Sequence, residues 1–319
     1  MARAIAEDKD GSTRDLAARA AWLSLVQGLT QDQIAQELGI SRQRAQRLVA
    51  RAGAEGMVRV RIDHPIAECL ELERALKTRY GLERAWVAPR LGEGGDAVTG
   101  LAPFTAPILE RLFQDTTPQT FAFGTGRTLR AVIEQMQAVD GARHRLVSLI
   151  GNVGPDGSAS FYEVIMRVAD KTGGAHYPMA IPVFARTPDE LTLYRSLPHV
   201  KAARDLAEAA DMAIVGMGQM SDTAPLHVDG FISASELAEL RSAGAIGEIC
   251  GHIFDRDGRF LDHPLNNKSV GVRVPVNRIK VFCIAAGASK LAAIRGALAG
   301  NLLDSLVTDE ETAQALLRG

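Results

Sequence analysis

Gly124-Thr125-Gly126-Arg127-Thr128, inside "FAFGTGRTLR", gathers two glycines, two hydroxyls and a guanidinium between an apolar run and a helical one. Glycine lets backbone N–H groups approach a ligand closely, and a helix N-terminus turns those groups and a partial positive charge toward it. That chemistry suits a phosphate or a polyhydroxylated ligand. The turn is neither a P-loop nor a G-x-G-x-x-G fingerprint, and a tight strand-to-helix connection without a ligand would use similar glycines. Acid–base candidates are Glu248, Asp211, Asp309, His252 and Lys290, yet no paired carboxylates, Ser-His-Asp order or metal spacing accompanies them. Asp211 and Asp309 read as caps at element ends, and His252 reads as a core or rim histidine. Lys290 reads as an electrostatic contact at a helix start more readily than as a Schiff-base lysine.

A second concentration of chemistry lies upstream. Between Ser41 and Ile62 stand six arginines (Arg42, Arg44, Arg47, Arg51, Arg59 and Arg61) against one acid, Glu55. The whole chain has a net charge of −2, so this is a basic island on a slightly acidic protein. Apolar spacing predicts helices over 14–27, ended by Gly28, over 31–38, capped by Thr30, and from Ser41 to about Ala52. Ile34, Ala35, Leu38, Ala45 and Leu48 face inward, Ile40 is a buried plug, and Gly39 supplies the sharp turn. Arg42, Gln43, Gln46 and Arg47 are left outward. This is the pattern of a helix-turn-helix, whose second helix enters the major groove, where Arg reads guanine and Gln reads adenine. Arg51, and Arg59 and Arg61 in "MVRVRI", extend the basic face as a wing aimed at phosphates. A three-helix packing module with a solvated basic face is the plainer alternative.

The elements that must position the glycine turn come later. "RAWVAP", "TFAFG", "RLVSLIG", "MAIVGMG" and "KVFCIAAG" read as buried strands alternating with helices such as 127–139 and 291–300. Capping boxes are expected at Ser233 with Glu236 and at Thr308 with Glu311. The alternation predicts an α/β fold, a mainly parallel, doubly wound sheet, behind an N-terminal all-α winged helix-turn-helix domain. Four strands run into glycine, at Gly124 and Gly126, at Gly151 and Gly154, at Gly216 and Gly218, and at Gly287. In such a sheet the carboxyl ends of the strands line the ligand crevice. Domains are expected at 1–62, a linker helix at 63–82, and an effector domain at 83–319. The linker stripe of Ile66, Cys69, Leu70, Leu72, Leu76 and Tyr80 can pair with a twin in a dimer or pack on the large domain.

Composition narrows the class further. With 46% hydrophobic and 23% charged residues over 319, the chain reads as an ordinary globular protein with room for two domains. No apolar run is long enough for a membrane span, and the N-terminus lacks a secretion signal. Cys69, Cys250 and Cys283 fit no metal or redox spacing. A cytoplasmic setting without cofactor or metal is expected.

These residues resemble the SorC family of bacterial transcriptional regulators, over nearly the whole chain. The likeness rests on "LTQDQIAQELGISRQRAQRLVARA", "GTGRTL", "GAIGEICGHIFDRDG" and "AAGASKLAAIRGALAGNLLDSLVTDEETAQALL". It implies an effector domain similar in fold to sugar-phosphate isomerases and deaminases but used for binding. It implies that Thr125 and Thr128 contact the phosphate or terminal hydroxyl end of a sugar, Glu248 its hydroxyls, and that Lys290 approaches from the last crevice helix. Asn152 and Gly154 fall at the second crevice loop. Two departures change the crevice: Thr125 stands where the family commonly has Trp, and Ala286 where it commonly has Gly. The partners implied are operator DNA, a sugar, polyol or sugar phosphate, and further copies of the chain in a dimer or tetramer. The competing reading is a sugar-phosphate isomerase or deaminase with a vestigial N-terminal domain.

Overall fold

The computed structural model describes residues 2–58, 67–90, 97–154, 156–158, 163–275 and 279–318, with backbone alone over 2–12. It divides into two compact units, Met1–His64 and Pro65–Gly319.

The first unit holds α1 (Ala2–Leu25), α2 (Gln31–Leu38) and α3 (Arg42–Ala54) around a core of Ala17, Ala20, Leu23, Ile34, Ala35, Ala45, Leu48 and Ala52. Thr30 and Gln33 form a full capping box at the start of α2, and the Ser41 hydroxyl accepts the Arg44 N–H at 3.3 Å to start α3. Gly39 sits at φ 62°, ψ 36°, a left-handed conformation that costs other residues about 1–2 kcal/mol. Two expectations need correction. Helix α1 begins at Ala2, because the Ala, Glu and Lys residues before Asp10 favour helix as strongly as those after it. It ends at Leu25, short of Gln27, where Val26 and Gln27 both donate to Trp22 O and Leu29 to Leu23 O. Ile40 is half-buried, packed on the rim of the core.

The second unit opens with α4 (Ala67–Tyr80), β1 (Arg84–Ala88), α5 (Ala97–Phe113), β2 (Thr120–Phe123), α6 (Arg127–Gln135), β3 (Arg145–Ser148), α7 (Ile165–Thr172) and β4 (Ala175–Tyr177). It continues with α8 (Pro188–Ser196), α9 (Pro198–Glu208), β5 (Met212–Val215), β6 (Gly218–Gln219), α10 (Pro225–Val228), α11 (Ala234–Ser242), β7 (Gly247–Ile249) and β8 (His252–Phe254). The chain closes with α12 (Pro264–Asn267), β9 (Lys280–Ile284), α13 (Leu291–Ala299), β10 (Ser305–Asp309) and α14 (Glu310–Arg318). Seven parallel strands form one sheet in the order β1-β10-β9-β5-β2-β3-β4. Phe121, Ala122, Phe123, Ala213, Ile214 and Val215 are fully buried, as strands covered on both faces require.

The strand order reverses between β2 and β5. From β2 the chain winds outward through β3 to β4, then returns beside β2 and winds the other way through β9 and β10. That reversal is where a crevice opens at the carboxyl ends of an open parallel sheet. A separate antiparallel sheet, β6-β7-β8, is inserted between β5 and β9 and stands beside it.

Helix α4 packs on the large unit: Cys69 and Leu76 are buried, and the Tyr80 hydroxyl donates to Leu316 O at 2.8 Å. The Ser233–Glu236 capping box forms, whereas the one expected at Thr308 does not. Thr308 is buried inside β10, and Asp309 takes the capping role by accepting the Thr312 N–H at 2.8 Å. Among the described residues no helix is long and apolar enough to cross a membrane.

Candidate functional site

The turn after β2 starts with Gly124, whose N–H donates to Ile214 O at 3.0 Å, tying it to β5. Gly126, at φ 129°, is the N-cap of α6 and offers no side chain there. The first turn of α6 therefore receives no side-chain cap from Gly126. Thr125 is half-buried, Thr128 is buried, and Lys290 Nζ donates to the Thr128 hydroxyl at 3.1 Å across 162 residues of sequence. Lys290 ends a 3-10 turn (Ala288–Lys290) that Gly287 starts at φ 104°. The Gly287 N–H donates to the Thr312 hydroxyl at 2.8 Å, which pins that turn to α14. Arg127 points outward and pairs with Asp229 at 3.0 Å.

Glu248 enters from β7. Its Oε2 accepts the Gly251 N–H at 2.8 Å, and a side chain at Gly218, its neighbour on β6, would run into the carboxylate. Burial pushes the Glu248 carboxyl above its ordinary range, against the pull of the Gly251 N–H, the Lys290 ammonium and the Gly218 N–H. Cys250 and Gly251 both have positive φ, 52° and 75°, as a two-residue hairpin loop between β7 and β8 requires. Sequence reasoning missed Gly251, and its signal was the lone "CG" between the triplets "GEI" and "HIF". The run "MAIVGMG", taken as one strand, is two: β5 ends at Val215, and Gly218 belongs to β6.

Asn152 and Gly154 follow β3 at the same end of the sheet. The Asn152 N–H donates to Met179 O at 3.1 Å, and the Gly154 N–H donates to Ser158 O at 2.8 Å, closing a turn. Gly216 lies against the crevice turn, where a Cβ would meet Thr125 O at 3.7 Å. The other acid–base candidates have structural partners: Asp211 Oδ2 accepts the Thr120 N–H at 2.7 Å and His252 Nδ1 lies 3.1 Å from Cys250 O. Asn266 clamps β8 through Ile253 N and Ile253 O, each at 2.8 Å.

In the first unit Ser41, Arg42, Gln43, Arg44, Gln46 and Arg47 are all exposed along the start of α3. Arg42 reaches back to Asp32 at 3.5 Å, and Arg47 Nε reaches Gln43 O at 3.4 Å within its own helix. Arg51 departs from expectation: it is half-buried and paired with Glu55, so much of its charge is spent inside the unit. Arg59 and Arg61, with the wing they were assigned to, lie outside the described residues.

Comparisons with known proteins agree over both units. A family model described as "Putative sugar-binding domain" matches residues 64–318, and one described as "Homeodomain-like domain" matches residues 13–58. The erythritol catabolism regulatory protein EryD of Brucella abortus is 36% identical over 303 residues, covering 95% of this chain and 96% of that protein. The transcriptional regulator LsrR of Escherichia coli K12 is 30% identical over 315 residues, covering 94% of each. Among solved structures, the full-length sorbitol operon regulator SorC from Klebsiella pneumoniae superposes with a TM-score of 0.76 at 29% identity, over 95% of this chain and 98% of that one.

Proposed function

The chain belongs to the SorC family of sugar-binding transcriptional regulators, and from that premise we propose that its crevice holds a small uncharged polyol or sugar. It is a DNA-binding regulator controlled by a sugar-type effector. The observation that carries the finer reading is the Lys290–Thr128 contact, beside Glu248, at the switch between β2 and β5. One ammonium and one carboxylate offset each other there, and Arg127 is already paired with Asp229. Hydroxyl groups can donate to Glu248 and accept from Lys290, Thr128 and the first N–H groups of α6. A phosphate would add two negative charges next to a buried carboxylate. The relative named for erythritol catabolism supports a short polyol.

On this reading the ligand is bound and not turned over. Asp211 and Asp309 are engaged with backbone N–H groups, and His252 lies on the face of β8 away from Glu248. The chain acts in the cytoplasm as a homodimer or homotetramer, with Arg42, Gln43, Arg44, Gln46 and Arg47 reading the major groove from α3. Arg59 and Arg61 add phosphate contacts. Effector binding and operator binding are then linked by one coupling free energy, typically about 1–3 kcal/mol.

A thermal-shift screen of the full chain against erythritol, ribitol, sorbitol and their phosphates tests this. The expected result is a raised melting temperature with a free polyol, lost in Thr128→Val and Lys290→Met. Stabilisation by phosphorylated compounds alone would contradict the uncharged effector. Turnover on the order of 1 per second or faster would restore the enzyme reading.

A further inference from the structure

A second cavity, of about 350 Å³, opens in the large unit between α8, α9 and the segment after β8. Its lining includes Arg195, Arg204, Glu208, His252, Phe260 and Arg273, and none of the crevice residues. The two sites lie on opposite faces of the small sheet: Glu248 pairs with Ile253, and His252 with Ile249, and neighbouring residues of a strand point to opposite sides.

Three guanidinium groups and one carboxylate stand in this lining. Glu208 pairs with Arg204 at 3.1 Å, and Arg204 also donates to Gly271 O at 2.6 Å, so Arg204 is a fixed part of the wall. Arg195 uses one nitrogen to donate to Ser269 O at 2.9 Å, and the Arg273 guanidinium lies 5.2 Å over the Phe260 ring. Among the described residues neither Arg195 nor Arg273 has a carboxylate within ion-pair distance. Both are thus oriented, one by a carbonyl and one by a ring, without being neutralised. Like charges gathered in a concave wall raise the local potential and draw anions. Burial and the repulsion of Arg204 hold the Arg195 guanidinium below its ordinary pKa. The His252 ring, buried and facing Arg273, Arg195 and Arg204, is held neutral, with a pKa of about 4.

We propose that this cavity is a binding site for a small molecule with two adjacent anionic groups, phosphoryl or carboxylate, gripped by Arg195 and Arg273 over Phe260. Guanidinium is the side chain that matches either group in a paired, planar hydrogen-bonding geometry. The volume is that of a metabolite site. The chain therefore carries two ligand sites of different chemistry, a hydroxyl-matched crevice and an anion-matched cavity.

Isothermal titration of the full chain with inorganic pyrophosphate and, separately, with citrate, at about 0.15 M salt, tests the assignment and separates the two sources. At least one of them binds. Arg273→Ala weakens that binding about tenfold or more, the loss expected for one charge-assisted hydrogen-bonded contact. Arg273→Lys recovers only part of it, and Thr128→Val in the crevice leaves it unchanged. Arg273 is exposed, so its replacement keeps the fold, which circular dichroism checks. The proposal is overturned if neither anion binds at millimolar concentration, if Arg273→Ala binds as the wild type does, or if Thr128→Val abolishes binding.

Discussion

In α3 the residues proposed to read DNA stand within seven positions, Ser41 to Arg47, on a helix that Ser41 itself caps. In the crevice, Thr128 and Lys290 meet across 162 residues, and Glu248, which feels the Lys290 charge, belongs to a different sheet. The first interface depends on exposed side chains over a small core. The second depends on backbone geometry: Gly126, Gly218, Gly251 and Gly287 are each placed where a turn or a close approach excludes a side chain. The lesson is that the two interfaces should fail independently, one by losing contacts and the other by losing shape.

Acid should separate the units most strongly. His252 has a folded pKa of about 4 against an ordinary 6.5, mainly from burial. The unfolded chain therefore takes up the proton first. Stability from this group is complete above pH 6.5 and falls as the pH drops toward 4, by about 3 kcal/mol at most. Residues 1–63 contain no histidine, so this histidine contribution is lost from the large unit alone. Denaturant melts at pH 7 and 5 should show this, with the difference reduced in His252→Asn.

Next comes Gly218→Ala. The added methyl displaces the Glu248 carboxylate, and polyol affinity should fall about a hundredfold, the weight of a lost hydrogen bond to a charged group. Operator affinity without effector should not change. Equal damage to both would mean the units do not fail separately.

Arg47→Ala should cut discrimination between operator and random DNA by about 1–3 kcal/mol and leave polyol binding intact. Competition binding against scrambled duplex reads this directly. The smallest effect belongs to Ser41→Ala, which removes a cap and should cost about 1 kcal/mol of head stability.

The difference between the regions also explains what the sequence made legible. The head could be read because caps, turn glycine and inward alanines all act within a few residues, and Thr30, Gly39, Ser41 and Ala45 stand as expected. In the large unit five parallel strands were legible as apolar runs. The short strands β4, β6, β7 and β8 were not, since two or three residues carry too little pattern, and the five-residue β10 was missed because Thr308 was taken as a helix cap instead. Helix α5 was hidden by Pro103 and Pro107, which remove helix hydrogen bonds; burial of Leu101, Ala106, Leu109 and Phe113 holds it together. The crevice glycines were visible, but the Gly251 N–H on Glu248 and the Thr312 hydroxyl on Gly287 depend on tertiary contacts no local window contains.

The central claim is that polyol occupancy changes operator affinity. It is tested by fluorescence anisotropy of a duplex selected for binding from a random pool, titrated with the full chain at rising erythritol concentration. The account predicts a shift in operator dissociation constant of about 5- to 150-fold that saturates with the polyol and disappears in Lys290→Met. An operator affinity that stays constant while the crevice fills would contradict it.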